Sequence, residues 1–255
     1  MTAQRYLIVN ADDFGQSPGI NQGIIQSFEE GIVTSASLMV RWRAAAAAAD
    51  YAREHPELSV GLHVDLGEWA YRAAEWSEVY AVVPRDDAAA VSAELARQLA
   101  RFRALVGRDP THLDSHQHAH FAEPTHSILL QASRTLDIPL RQFSAVRYCG
   151  DFYGQTARGL AYPEGVSSES LIALLTAMPA GTTELGCHPG LGDDVDSMYR
   201  AERAQELETL CNPRIRDVLA TEGIELCSFR DFNGRTRGDR RAGSDPSASR
   251  RSAAN

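Results

Sequence analysis

The chain has 255 residues, of which 44% are apolar and 23% are charged, so it is long enough to bury a sizeable hydrophobic core. Its formal net charge of −9 argues against a nucleic-acid partner, because the phosphate backbone binds clustered Lys and Arg side chains. No apolar stretch is long enough to span a bilayer, and residues 1–15 lack a signal-peptide pattern, so we expect a cytoplasmic protein. The cysteines are widely scattered and are expected to be free thiols.

The first strand is predicted to end at a pair of adjacent acids. The apolar run from Tyr6 to Val9 indicates a buried strand, and the Asn, Asp and Gly residues that follow it indicate a turn. Asp12 and Asp13 repel each other there, so a metal ion or a proton transfer explains them better than folding does. The alternative is that one of them caps the next helix, which Ser17-Pro18 is predicted to open.

Strands and helices alternate along the rest of the chain, which predicts an α/β fold with a parallel sheet, either open and doubly wound or closed into a barrel. Further strands are predicted over 34–40, 58–64, 111–115, 182–186 and 224–229, with strand-like fragments at 139–141 and 145–147. Helices are predicted over 18–30, 44–55, 88–106, 124–136, 168–178, 201–211 and 213–222.

Two segments between these elements are predicted to be irregular. Residues 66–86 are rich in Trp and Tyr and too irregular for regular secondary structure, so we expect an insertion over a site. Residues 148–165 are rich in Gly and Tyr and are predicted to form a loop.

Polar side chains fall at several predicted strand ends, where parallel α/β sheets place their ligand sites. A single histidine in such a place is more often an ordinary hydrogen-bonding residue, but a carboxylate or imidazole at four separate strand ends favours a shared site. The candidates are Asp12, Asp13, His63, Asp114, His116, His188 and either Arg141 or Arg147.

The densest group of candidates runs from Asp114 to His120. In an extended chain its alternate side chains, one carboxylate and three imidazoles, share one face. We expect the strand to end near His116, which leaves this residue rigid enough to bind a metal, and we expect His118 and His120 to line the mouth of the site. The alternative is a flexible His-rich loop without a fixed role.

A mixed set of carboxylate and imidazole groups suits zinc and other borderline divalent ions better than magnesium, which prefers oxygen ligands. Asp13, His63 and His116 supply three such ligands and leave a position for water, which is the arrangement of a hydrolytic site.

Five motifs follow one another along the chain: IVNADDFG at 8–15, GIVTSAS at 31–37, GLH at 61–63, THLDSHQH at 111–118 and CHPG at 187–190. In this combination the chain resembles the YdjC-like carbohydrate deacetylases, a family that includes chitooligosaccharide deacetylases and a hopanoid-associated branch. The resemblance runs from residue 5 to Phe232 and implies a distorted (β/α) barrel of the polysaccharide-deacetylase type. We therefore expect one catalytic domain over 1–232, followed by an Arg-, Gly- and Ser-rich tail over 233–255 that is too polar to order itself.

The resemblance also implies a metal-dependent hydrolase that removes the acetyl group from an N-acetylated amino sugar or oligosaccharide. It implies one divalent ion on Asp13, His63 and His116, with zinc favoured and magnesium allowed. Asp12 becomes the general base that takes a proton from metal-activated water, and His188 becomes the general acid that protonates the leaving amine.

Four further residues are assigned supporting roles. Arg141 matches an arginine of the family and is expected to keep Asp12 ionised by pairing with it. Asp114, His118 and His120 are expected to bind substrate or to support the ligands. Segments 66–86 and 148–165 depart from the chitooligosaccharide branch, so we expect them to select the substrate.

Two other functions remain open at the level of sequence. A glycosidase would use Asp12 and Asp114 on either side of a glycosidic bond, but it would leave the histidines unexplained. A carbohydrate-binding or metal-binding regulator without catalysis is opposed by the presence of every motif residue that turnover needs. The expected partner is an N-acetylated sugar, and the sequence is compatible with a homo-oligomer.

Overall fold

The computed structural model describes residues 4–72, 75–191 and 194–234, so most of the predicted tail and Gly192 lie outside the described residues. The strands are β1 (Arg5–Phe14), β2 (Ser35–Leu38), β3 (Ser59–Val64), β4 (Gly67–Arg72), β5 (Glu75–Ala81), β6 (Leu113–Ser115), β7 (Arg147–Cys149), β8 (Gly181–Cys187) and β9 (Ile224–Leu226). The helices are α1 (Pro18–Glu29), α2 (Ala45–Glu54), α3 (Ala88–Val106), α4 (Thr125–Leu136), α5 (Ser168–Thr176), α6 (Ala201–Leu210) and α7 (Pro213–Glu222). Short 3₁₀ helices span His116–Phe121 and Pro163–Val166.

The main sheet is parallel, with the strand order β6-β3-β2-β1-β8-β7, and β9 pairs with the first residues of β1. The central strand β1 is buried from Leu7 onward, which explains its continuous apolar run. The contacts of Arg141 show that the sheet is curled. This residue lies beside β6 at one edge, and its side chain reaches Asp12 on β1 and Glu184 on β8. This curled, half-closed form agrees with the predicted distorted barrel and not with the open doubly wound alternative.

The first strand continues through the acid pair to Phe14, so it ends later than predicted, and the turn begins at Gly15. Three residue steps on β1, from Ala11 to Phe14, span two steps on β2, and Asp13 has a φ of 67°. This is a β-bulge, which inserts one extra residue and turns side chains to a new direction. Ser17 caps α1 by accepting a hydrogen bond from the amide of Ile20, as predicted, so neither Asp12 nor Asp13 is the cap.

Two segments depart from the predicted local structure. Residues 66–86 contain two paired antiparallel strands, β4 and β5, with one register shift between Glu68 and Trp69, instead of an irregular insertion. We call this pair of strands the aromatic hairpin. Residues 116–121 form a 3₁₀ helix in which Gln117 and His118 have positive φ. The strand therefore ends just before His116, close to the expected position, and the shared face that an extended chain would give to Asp114, His116, His118 and His120 does not form. The predicted strand over 224–229 also ends earlier, at Leu226.

Most other predicted elements are confirmed, and α3 and α7 have the predicted bounds. Asp87 caps α3 at its start and Gly107 ends it in the left-handed conformation, so local signals sufficed there. Within the part of the chain that the structure describes, none of the helices has the length and apolarity needed to cross a membrane.

Candidate active site

The carboxyl ends of β1, β3, β6 and β8 open onto a cavity of about 580 Å³. Asp12 and Asp13 lie at the end of β1, His63 lies at the end of β3, and His116 and His188 follow β6 and β8. All five predicted metal-binding and catalytic residues therefore line one cavity. In a regular strand the adjacent acids would face opposite sides of the sheet, and the bulge allows both to reach this cavity.

Asp13, His63 and His116 offer ligand atoms that all lie within 4.8 Å of one another. Oδ1 of Asp13 is 3.2 Å from Nδ1 of His116 and 3.5 Å from Nε2 of His63. Oδ2 of Asp13 accepts a hydrogen bond from Nη2 of Arg203 at 2.6 Å, which leaves Oδ1 facing the histidines. This set of one carboxylate and two imidazoles fits a borderline divalent ion such as zinc.

The charges of these ligands are strongly perturbed. Burial by itself raises the pKa of Asp13, but Arg203 and His116 hold it well below its ordinary value. Burial by itself lowers the pKa of His116, but contacts with Asp13 and Glu68 raise it to about 10. Burial likewise lowers the pKa of His63, and Asp114 and Asp12 outweigh that effect and raise it. The site therefore combines an ionised carboxylate with basic imidazoles, which a divalent cation can bind in place of protons.

Asp114 lies behind His63 and does not line the cavity. It is fully buried, its Oδ1 pairs with Nδ1 of His63 at 2.8 Å, and its Oδ2 accepts from Ser37 at 2.6 Å. The contact with Asp114 occupies Nδ1 of His63 and leaves Nε2, the other ring nitrogen, to face Asp13. Metal-binding histidines commonly pair with a carboxylate in this way. Asp12, His63 and Asp114 also lie close together, but Arg141 already neutralises both of those carboxylates.

Asp12 forms a bidentate ion pair with Arg141, at 2.7 and 2.8 Å, and its Oδ1 also accepts from Asn10 at 2.9 Å. Burial by itself raises the pKa of Asp12, but the guanidinium lowers it below its ordinary value. The same guanidinium pairs with Glu184, whose pKa is raised by burial to about 7 despite the arginine. Arg147, the other candidate in the sequence, is exposed and is not part of this cluster.

His188 faces the cavity from the turn after β8 and is 21% exposed. Its Nε2 is 3.8 Å from Oδ2 of Asp12, and its Nδ1 is 3.8 Å from Oε1 of Glu206. Glu206 also accepts hydrogen bonds from the backbone amide of His188 and from the hydroxyl of Tyr199. The rings of Tyr153 and Tyr199 contact the imidazole edge to face. The orientation of His188 is therefore set by α6 and by the loop before α5.

The two remaining histidines of the cluster have different environments. His118 lines the cavity, and burial lowers its pKa to about 4. His120 is fully buried, and its Nδ1 lies 2.6 Å from the Oγ of Ser115, so it does not line the mouth as predicted. The 3₁₀ turn brings His120 back over the end of β6, where an extended chain would have carried it outward.

The aromatic hairpin forms one wall of the cavity through Trp69 and Trp76. Its base is held by Asp65, which accepts from the Tyr80 hydroxyl at 2.9 Å and from the Gly67 amide at 3.1 Å. Its inner strand is held by Gln117, which exchanges two hydrogen bonds with the backbone of Trp69, at 2.7 and 2.9 Å. The hairpin is thus tied to the residue next to His116.

Sequence reasoning did not identify Arg203, Glu206, Glu184 or Glu68. Arg203 and Glu206 are buried on the inner face of α6, and Arg203 is 190 residues from Asp13 along the chain. Their only local signal is that they share a face with the apolar residues Leu207 and Leu210. Charges on the apolar face of a helix need buried partners, but the identity of those partners requires the tertiary structure.

Comparison with known proteins shows extensive similarity. The family model described as YdjC-like protein matches residues 6–221. The chain is 35% identical to a carbohydrate deacetylase of Geobacillus stearothermophilus over 250 residues, covering 89% of this chain and 98% of that one. It is also 35% identical to a chitooligosaccharide deacetylase of Klebsiella pneumoniae (strain 342) over 257 residues, covering 89% of this chain and 99% of that one.

Solved structures resemble the fold at lower identity. A crystal structure from Enterococcus faecalis V583, described as a proposed cellobiose-phosphate cleavage protein, has a TM-score of 0.74 and 24% identity, covering 90% of this chain and 99% of that chain. A family 4 carbohydrate esterase from Streptomyces lividans has a TM-score of 0.53 and 13% identity, covering 89% and 93%. These likenesses confirm the predicted distorted (β/α) barrel fold.

Proposed function

The chain belongs to the YdjC-like protein family, and from this premise we propose that it is a metal-dependent hydrolase that removes the acetyl group from an N-acetylated amino sugar or oligosaccharide. Relatives with deacetylase names match it over nearly their whole length. The observation that supports the proposal most is the meeting of a three-ligand group, an arginine-paired carboxylate and a histidine in one cavity. That combination supplies what acetamide hydrolysis needs, namely an activated water, a base and an acid.

One divalent ion is proposed to be held by Asp13, His63 and His116. When bound, such an ion lowers the pKa of a water molecule and polarises the acetyl carbonyl. Two nitrogen ligands and one oxygen ligand favour zinc over magnesium. The chain prepares this set by engaging Oδ2 of Asp13 with Arg203 and Nδ1 of His63 with Asp114.

Asp12 is proposed to be the general base. Its lowered pKa keeps it ionised at neutral pH, and Arg141 and Asn10 fix the direction of its carboxylate. Arg141 remains paired with Asp114 when Asp12 receives a proton, so the buried cation keeps a partner throughout.

His188 is proposed to be the general acid. Its Nε2 lies on the cavity side, next to Asp12, and its Nδ1 faces Glu206. Nε2 is therefore the atom that delivers a proton to the leaving sugar amine. The carboxylate of Glu206, 3.8 Å from Nδ1, holds the ring with Nε2 on the cavity side. Around these groups, the aromatic side chains of Trp69, Trp76 and Tyr153 offer flat apolar faces to a sugar ring.

Acetate release tests this function directly. The purified chain, stripped of metal and then reconstituted with Zn²⁺ or Mg²⁺, is assayed on a panel of N-acetylated sugars and oligosaccharides. We expect acetate to appear only with added metal. New reducing ends without acetate would instead indicate a glycosidase, and tight sugar binding with neither product would indicate a binding protein.

The glycosidase alternative has less support than the deacetylase. Its two carboxylates would be Asp12 and Asp114, but Asp114 is fully buried and is engaged by His63, Ser37 and Arg141. A carboxylate without access to the cavity cannot protonate a glycosidic oxygen. Cytoplasmic location, homo-oligomer formation and the domain limits stay predictions from the sequence.

A further inference from the structure

We propose that Glu68, on strand β4 of the aromatic hairpin, is a positioning residue that holds the metal ligand His116 in place. The hairpin would then have two roles, since it forms a wall of the cavity and also helps to build the metal site. This role rests on the metal-dependent function proposed above.

The imidazole of His116 lies between two carboxylates. Its Nδ1 is 3.2 Å from Oδ1 of Asp13, and its Nε2 is 3.9 Å from Oε2 of Glu68. Nε2 is buried and has no hydrogen-bond partner among the residues that the structure describes. Glu68 is therefore the carboxylate that faces the open nitrogen of this ligand.

Glu68 differs from the other acids of the hairpin in its burial. It is 5% exposed, whereas Glu75 and Glu78 on β5 are exposed to solvent. A buried carboxylate is costly unless a cation or donor compensates it, and the ion pair with His116 provides that compensation. An acid that only keeps the hairpin soluble would face the solvent. The buried position of Glu68 is explained by its ion pair with His116.

His63 shows the same arrangement in a more closely packed form. Its Nε2 faces Asp13 at 3.5 Å, and its far nitrogen, Nδ1, pairs with Asp114 at 2.8 Å. In His116 the nitrogen that faces Asp13 is Nδ1, and the far nitrogen faces Glu68. Each histidine thus has a carboxylate on the side away from Asp13, which is how proteins fix the tautomer and ring orientation of metal-binding histidines.

The position of Glu68 is itself well supported. The backbone of the neighbouring residue Trp69 exchanges two hydrogen bonds with the side-chain amide of Gln117, which directly follows His116. The other neighbour, Gly67, donates from its amide to Asp65. The segments that carry the acid and the imidazole are therefore held together, so a small closing movement of the 3.9 Å pair completes a hydrogen bond.

Metal affinity provides the test, independently of turnover. Glu68→Ala and Glu68→Gln are prepared with the matched controls Glu78→Ala and Glu78→Gln, which remove the same charge from the exposed strand of the hairpin. The dissociation constant for Zn²⁺ alone is measured by competition with a chromophoric chelator, and the absorption spectrum of bound Co²⁺ reports the ligand geometry. Thermal unfolding of the metal-free proteins checks that each variant is folded.

We expect Glu68→Ala to weaken Zn²⁺ binding by about 10- to 100-fold and to change the Co²⁺ spectrum. Glu68→Gln keeps the shape and one acceptor oxygen but loses the charge, so we expect a loss of about 10-fold, the low end of that range. Both Glu78 variants should bind Zn²⁺ like the wild type.

Unchanged affinity in both Glu68 variants would overturn the proposal, as would equal losses in the Glu68 and Glu78 variants, which would indicate only a long-range effect of charge. In either case a wild-type chain that binds Zn²⁺ and releases acetate would leave the proposed function intact. A wild-type chain that binds no divalent ion would overturn both.

Discussion

Arg141 holds both carboxylate oxygens of Asp12, from Nη1 to Oδ2 at 2.7 Å and from Nη2 to Oδ1 at 2.8 Å, in a pair that is almost completely buried. The same guanidinium contacts Asp114 and Glu184, each at 2.7 Å. Carboxylates from three strands therefore share one cation beneath the cavity. Arg141 thus links three groups electrostatically: the proposed base Asp12, the His63 partner Asp114, and Glu184 on the strand before His188.

Replacing this shared cation should destabilise the fold strongly. We expect Arg141→Met to lower the free energy of unfolding by about 3–5 kcal/mol, because it leaves buried carboxylates without a partner. Urea unfolding followed by circular dichroism measures the change. Arg147→Met, at an exposed position on the nearby β7, should change stability by less than about 0.5 kcal/mol. Equal stability of the two variants would show that the cluster does not need its arginine.

Two substitutions test whether Asp12 acts as the base and His116 as a metal ligand. We expect Asp12→Asn to retain the metal and to lose about 10²- to 10⁴-fold in kcat, because the amide cannot accept the proton. We expect His116→Ala to lose the metal itself. Metal content after gel filtration and the rate of acetate release measure both effects. A metal-free Asp12→Asn protein beside a metal-loaded His116→Ala protein would reverse the assignments.

The role of His188 should depend on the leaving group. We expect His188→Ala to reduce kcat by about 10²- to 10⁴-fold on N-acetylated sugars, whose amine leaves poorly without a proton. On an acetanilide with a weakly basic aryl amine the loss should be much smaller, because that amine needs less protonation. An undiminished rate on the sugar substrate would remove His188 as the acid.

Helix α1 packs so closely on the turn that carries His188 that a single methyl group should disturb it. A Cβ at Gly23 would lie 2.4 Å from the Cα of Gly190, two residues after His188. We expect Gly23→Ala to cost about 1–3 kcal/mol of stability through overpacking, although alanine is the better helix former. It should also lower kcat. Gln22→Ala, on the exposed face of α1, should do neither.

The fold should lose stability in mild acid partly through His112. This side chain is fully buried, stacks on Phe229, and has its pKa lowered by burial to about 4. Between about pH 6.5 and pH 4 the unfolded chain binds a proton that the folded His112 does not, so stability falls as the pH falls. The contribution is on the order of 3 kcal/mol. Unfolding of the wild type and of His112→Leu across this range measures it, and the variant should show a flatter pH dependence. Parallel curves would exclude His112 as the cause.

Sequence reasoning was most accurate where the deciding interactions are local. The cap of α1 and the bounds of α3 and α7 depend on residues within a few positions of each other, and these predictions are confirmed. It failed at the bulge of Asp13 and at the 3₁₀ turn after His116, where the backbone has positive φ at residues other than glycine. Such conformations are intrinsically unfavourable, and only surrounding contacts stabilise them.

The amino-acid sequence by itself determined the alternation of strands and helices, the family resemblance, and which acids and histidines lie at the ends of strands. The tertiary structure decided how their charges are paired: Arg203 with Asp13, Arg141 with three carboxylates, and Glu68 facing His116. The physical reason is that periodicity and capping act over a few residues, whereas these pairs join segments brought together only by the curl of the sheet and the bulge in β1.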